Sequence, residues 1–106
     1  MTRIELTRPA LFLDVGTKMG WAVLREKSHV SGRIVLEPTR GKPLGERWAR
    51  VGWWLNQIAE LEGDSLGVLV YEDPASIPKS SRQAAIVAGG FIAVIEAWAY
   101  RRKISC

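Results

Sequence analysis

At 106 residues, the chain is at most one domain, near the lower end of the size that buries its own core. Hydrophobic residues make up 47% and charged residues 25%, a globular and soluble balance, and the net charge of +4 permits an anionic partner without requiring one. The single cysteine, Cys106, excludes an internal disulfide and suits a reducing, cytoplasmic compartment, and the charged start "MTRIELTRP" is no signal peptide.

In chain order, "ALFLDV", residues 10 to 15, is an apolar run broken only by Asp14, the pattern of a central strand covered on both faces. Gly16 and Gly20 bracket a tight connection, and "WAVLRE" returns from Trp21 as the second arm of a hairpin. A third strand spans residues 30 to 37, with Val30, Ile34 and Leu36 on one face, and residues 38 to 45 form a loop. From Glu46 to Glu62, Trp48, Val51, Leu55, Ile58 and Leu61 recur at helical steps, and Gly63 stands where that helix should end. "LGVLVYE", residues 66 to 72, is a second buried strand that also ends in a carboxylate.

Pro74 and Pro78 bar regular structure before Ser80, which with Gln83 has capping-box spacing and opens a long helix reaching about Arg102. Residues 84 to 100 of that helix approach membrane-spanning length, but Glu96, two glycines and many alanines favour a buried helix, so no membrane is expected. The closing "ISC" resembles the start of another strand.

Three strands, a helix, a strand, a long helix and the start of a fifth strand form an α/β ribonuclease H-like order: an antiparallel three-strand meander extended by a parallel strand. A right-handed helical crossover lays the strand at 66 to 72 parallel to a strand of the meander. If that neighbour is the first strand, Asp14 and Glu72 end two adjacent parallel strands, where open sheets hold ligands. Paired carboxylates repel unless a cation neutralises them, and an all-oxygen site suits Mg²⁺ or Mn²⁺ acting at a phosphodiester.

"FLDVGTKMGWAVL", then "VLVYEDP", then "SSRQAAIVAGGFIAVIEAWA", resembles the RuvC-like crossover junction endodeoxyribonucleases, the phage and prophage versions above all, over residues 10 to 106. The resemblance implies a Mg²⁺-dependent endonuclease that cuts branched DNA, typically Holliday junctions, as a homodimer without a small-molecule cofactor. Asp14 and Glu72 fall on the family's first two acidic ligands. Its two further ligands lie on a later helix absent from this sequence, so an incomplete domain is expected, either part of a longer enzyme or a shortened protein without normal activity.

Other readings compete at each position. Asp14 could bond turn amides rather than a metal. Asp73 alternates to the opposite face from Glu72 and is left out of the site. Lys18, Lys79 and Arg82 stand at the same sheet edge and could meet DNA phosphates or be solvated charges. Arg40, Lys42, Arg47 and Arg50 form a second basic group around the first helix. Among Trp48, Trp53 and Trp54, Trp48 and at least one other are expected in the core rather than stacked on bases. His29 has no partner at metal-ligand spacing. Gly89 and Gly90 inside the long helix suggest the close approach of another backbone.

Two other functions stay open. "DVGTKMG" also looks like the phosphate-binding hairpin of the actin-like ATPase and sugar-kinase superfamily, with Gly16 and Thr17 at a nucleotide phosphate, although that superfamily needs a second domain. It is similar as well to YqgF-type relatives of RuvC, against which the Glu72 strand end argues. A non-catalytic reading is a truncated DNA-binding or dimerising domain.

Overall fold

The structure, a computed structural model, describes residues 8–72 and 81–106. Its elements are β1 (Ala10–Asp14), β2 (Lys18–Leu24), β3 (His29–Val35), α1 (Leu44–Leu61), β4 (Val68–Tyr71) and α2 (Arg82–Arg101). The sheet order is β3-β2-β1-β4, antiparallel within the meander and parallel between β1 and β4. Beyond α2, Ser105 bridges Val68 in parallel, the position of the fifth strand that "ISC" suggested.

Alternation along β1 divides its side chains between the two faces. Leu11 and Leu13 are buried under the helices with Met19, Val23 and Leu69, while Phe12 and Asp14 point the other way and are exposed. The helices meet this inner face through Val51, Leu55 and Ile58 of α1 and Val87, Phe91, Ile95 and Trp98 of α2. Burying each such large apolar side chain contributes about 1.5–3 kcal/mol relative to leaving it in water. The expectation that the first strand is covered on both faces is corrected: both helices pack on one side, and on the other Phe12, Leu24 and Val70 are 38%, 37% and 42% exposed.

Local chemistry moved several boundaries. Gly20 lies inside β2, paired with Asp14, so only Val15 to Thr17 make the turn. α1 begins at Leu44 behind Pro43, whose ring suits a helix start, and ends with Gly63 at φ 61°, a left-handed turn that costs glycine little. α2 is capped by Ser81, whose hydroxyl accepts from the Ala84 amide 3.0 Å away, in place of the expected Ser80–Gln83 box; Ser80 lies outside the described residues. α2 is long and apolar enough by composition to cross a membrane, yet its Val87–Phe91–Ile95–Trp98 stripe is packed into the core.

The close approach at Gly90 is made by a side chain rather than a backbone. A Cβ there would lie 2.0 Å from the Trp48 ring, whereas Gly89 has open space. Trp48 and Trp54 are half-buried, Trp54 tilted against Trp21 at 5.7 Å, and Trp53 is 62% exposed.

Candidate functional site

The open face of the sheet carries a trough lined by Phe12, Asp14, Gly20, Ala22, Val70 and Glu72, with Leu13, Trp21 and Tyr71 contributing from the same strands. The parallel register sets Leu13 opposite Tyr71, and the next residues are Asp14, the last of β1, and Glu72, just past the end of β4. The strands thus bring both acids to one end of one trough. Gly20, directly across the ladder from Asp14, leaves the space beside that carboxylate clear: a Cβ there would sit 3.9 Å from the Asp14 Cβ.

Both acids are exposed, and neither takes a hydrogen bond or ion pair among the described residues. The turn-amide role for Asp14 therefore has no bond to support it. The two carboxylates share the trough with an apolar floor of Phe12, Ala22 and Val70.

The donor set suits Mg²⁺ or Mn²⁺, which take carboxylate oxygens and keep several waters, with substrate phosphate completing the shell. Among the described residues no group of three or more His, Cys, Asp or Glu could hold a metal, so any cation here would have only Asp14 and Glu72 as acidic ligands from those residues.

The predicted basic residues divide. Lys18 opens β2, exposed, on the face it shares with Gly20 and hence with Asp14. Arg82 opens α2, exposed, and the first turn of that helix shares a cavity with the β1–β2 turn through Ser81, Gln83, Ala84, Val15, Gly16 and Thr17. Lys79 and Asp73 lie outside the described residues. His29 is exposed on the edge strand, far along the ladder from the acids.

Of the basic group around α1, Arg47 and Arg50 make contacts within the fold. Arg50 bonds the Val35 and Glu37 carbonyls and pairs with Glu46, tying β3 to α1. Arg47 is buried at 8% exposure, donating from Nε to the Leu36 carbonyl at 2.6 Å and from Nη2 to the Thr17 hydroxyl at 3.2 Å. The Thr17 hydroxyl, assigned to a nucleotide phosphate in the ATPase reading, is engaged by that guanidinium.

No protein-family model matches the chain, and no curated protein matches it. Among solved structures, Thermus thermophilus RuvC in complex with a Holliday junction substrate superimposes with a TM-score of 0.70 at 13% identity, over 92% of this chain and 60% of that one. A second Thermus thermophilus RuvC structure gives a TM-score of 0.64 at 14% identity, over 91% and 60%.

The fold is that of RuvC. At such identity the likeness to RuvC is one of fold, ribonuclease H-like, with the element order that the sequence suggested. The chain spans 60% of the length of these RuvC structures.

Proposed function

We propose that this chain carries the first half of the metal site of a structure-specific endonuclease that hydrolyses phosphodiesters in branched DNA of the Holliday junction type. The observation that carries the reading is the placement of Asp14 and Glu72 side by side, without partners among the described residues, at the carboxyl ends of two adjacent parallel strands of a RuvC-like sheet. One of the matched RuvC structures is a complex with a Holliday junction substrate, which supports the same substrate class here.

In this reading Asp14 and Glu72 hold Mg²⁺ or Mn²⁺. When bound, such an ion activates water and stabilises the leaving oxygen at a phosphodiester. The chain's own residues do the rest. The two carboxylates fix the cation at the strand ends, Gly20 keeps the approach to Asp14 open, and Lys18 and Arg82 meet DNA phosphates, as does Lys79, which lies outside the described residues. Phage or prophage origin and a cytoplasmic setting belong to the same proposal. So does a homodimer placing one site on each of two strands, for which the exposed apolar positions Ile86 and Tyr100 of α2 offer a surface.

A second reading, binding without cleavage, is favoured by one observation: with two acids and no third ligand among the described residues, the polypeptide holds a partial donor set. Cleavage of a labelled four-way junction in Mg²⁺, measured with this polypeptide and with any longer form that the gene encodes, tests both. The endonuclease reading expects the cutting species to lose cleavage in Asp14→Asn and in Glu72→Gln while junction binding is retained. Cleavage that survives both substitutions sinks the metal assignment, and binding without cleavage in every form supports the second reading.

A further inference from the structure

We infer that Arg47 is the positioning residue of the site, holding the β1–β2 turn and thereby the carboxylate of Asp14 in place. The inference rests on the metal reading of Asp14 and Glu72 and deepens it.

Asp14 is the last residue of β1 with a ladder partner, and on the β4 side the pairing already stops at Leu13 and Tyr71. Its backbone is thus secured on one side only, and the chain runs directly into the three-residue turn from Val15 to Thr17. That turn is closed from outside the hairpin. The Leu36 amide donates to the Thr17 carbonyl at 2.6 Å, and Arg47 bonds both residues of this contact, the Leu36 carbonyl through Nε and the Thr17 hydroxyl through Nη2. One guanidinium therefore joins the turn after Asp14, the end of β3 and α1.

The rigidity of the clamp comes from its surroundings. Arg47 sits in the first turn and a half of α1 with its Cζ 5.7 Å from the centre of the Phe91 ring on α2, so a fourth element fixes its plane. Among the described residues it forms no ion pair with a carboxylate. Its partners among the described residues are a carbonyl, a hydroxyl and a ring face, and a lysine, with one rotatable ammonium, could not hold both oxygens in the fixed fork that a guanidinium offers.

Beside it lies a cavity lined by Val15, Gly16, Thr17, Arg47, Val87 and Phe91, and Val15 of the turn also packs against the core.

The test uses this polypeptide with Arg47→Lys, Arg47→Met and Thr17→Val, the last removing only the hydroxyl acceptor and leaving the core untouched should the Arg47 variants fail to fold. Mn²⁺ is the probe, titrated by calorimetry, with amide hydrogen exchange of residues 15–18 and Leu36 in metal-free protein as the second readout and the urea midpoint as the third.

The expected result is faster exchange at the turn and at the Leu36 amide in Thr17→Val, together with Mn²⁺ affinity lowered by about tenfold or more in protein that the urea curve shows to be still fully folded without denaturant. Arg47→Met combined with Thr17→Val should weaken Mn²⁺ binding no further than Arg47→Met alone. Mn²⁺ affinity equal to wild type in folded variants overturns the inference while sparing the metal reading. A wild-type protein that binds no Mn²⁺ overturns the metal reading itself and the inference with it.

Discussion

Replacing Gly90 with alanine should destabilise the protein, although the same exchange one residue earlier should stabilise it. Both glycines lie inside α2, where alanine is favoured over glycine by about 1 kcal/mol. At Gly89 nothing lies within 4 Å of the added methyl, so that gain is expected in full. At Gly90 the methyl would fall 2.0, 2.1 and 2.3 Å from three atoms of the Trp48 indole, which must swing away. The move also breaks the indole N–H bond to the Val87 carbonyl, 3.3 Å long, leaving a half-buried group short of a partner. Overpacking costs about 1–3 kcal/mol and the lost bond about 1 kcal/mol, so after the helix gain the net loss is about 1–3 kcal/mol. At this chain length each kcal/mol moves Tm by about 4–8 °C, so the two neighbouring variants should melt on opposite sides of wild type. Urea unfolding followed by far-ultraviolet circular dichroism, beside tryptophan fluorescence that reports the displaced indole, makes the comparison. Equal stabilisation by both substitutions would refute the packing of Trp48 of α1 on Gly90 of α2.

Three further expectations are open to measurement. Gly20→Val puts a β-branched side chain beside Asp14 on a strand that tolerates it, so Mn²⁺ affinity should fall while the unfolding free energy from urea curves changes by less than about 1 kcal/mol; unchanged affinity would place the cation elsewhere. The Arg25 guanidinium, bonded twice to Glu62 at 2.8 Å, holds that carboxyl below the usual carboxylate range. Its contribution to stability is therefore complete above the unfolded value and is lost as pH falls through the lowered folded one, so Glu62→Gln should flatten the acid limb of urea midpoint against pH below about 4.5, and an identical limb would contradict the pairing. Trp53→Ala removes a 62% exposed ring from the outer face of α1 and should shift Tm little, against a loss of about 3–5 kcal/mol for Phe91→Ala in the core; similar losses would mean that Trp53 is covered in solution.

What the sequence made legible were features carried by runs of neighbouring residues. The apolar stretches at "ALFLDV" and "LGVLVYE" announce strands by composition, and their carboxylate ends line one trough because parallel register keeps equivalent positions together. Features that depend on distant partners were hidden. Arg47 stands between Glu46 and Trp48 with Arg50 a turn away, a setting that leaves its orientation open, and only the folded positions of Leu36, Thr17 and Phe91 turn it inward. Gly20 read as turn punctuation because glycine marks loops, whereas here its missing side chain serves the ladder position next to Asp14. The choice between Ser80 and Ser81 as helix cap could not be made from two identical neighbours; the bond to Ala84 selects Ser81.

The pairing of Ala10 with Val68 also shapes how the polypeptide assembles. The meander joins strands that are close in sequence and can form early, but β4 reaches β1 only after all of α1 has been traversed, a long closure whose entropy must be met before its contacts reward it. An intermediate with the meander alone would present one acid and no neighbour for it. Joining β4 to β1 is thus the most sequence-distant pairing in the sheet, and the trough that both acids line exists only once it is made.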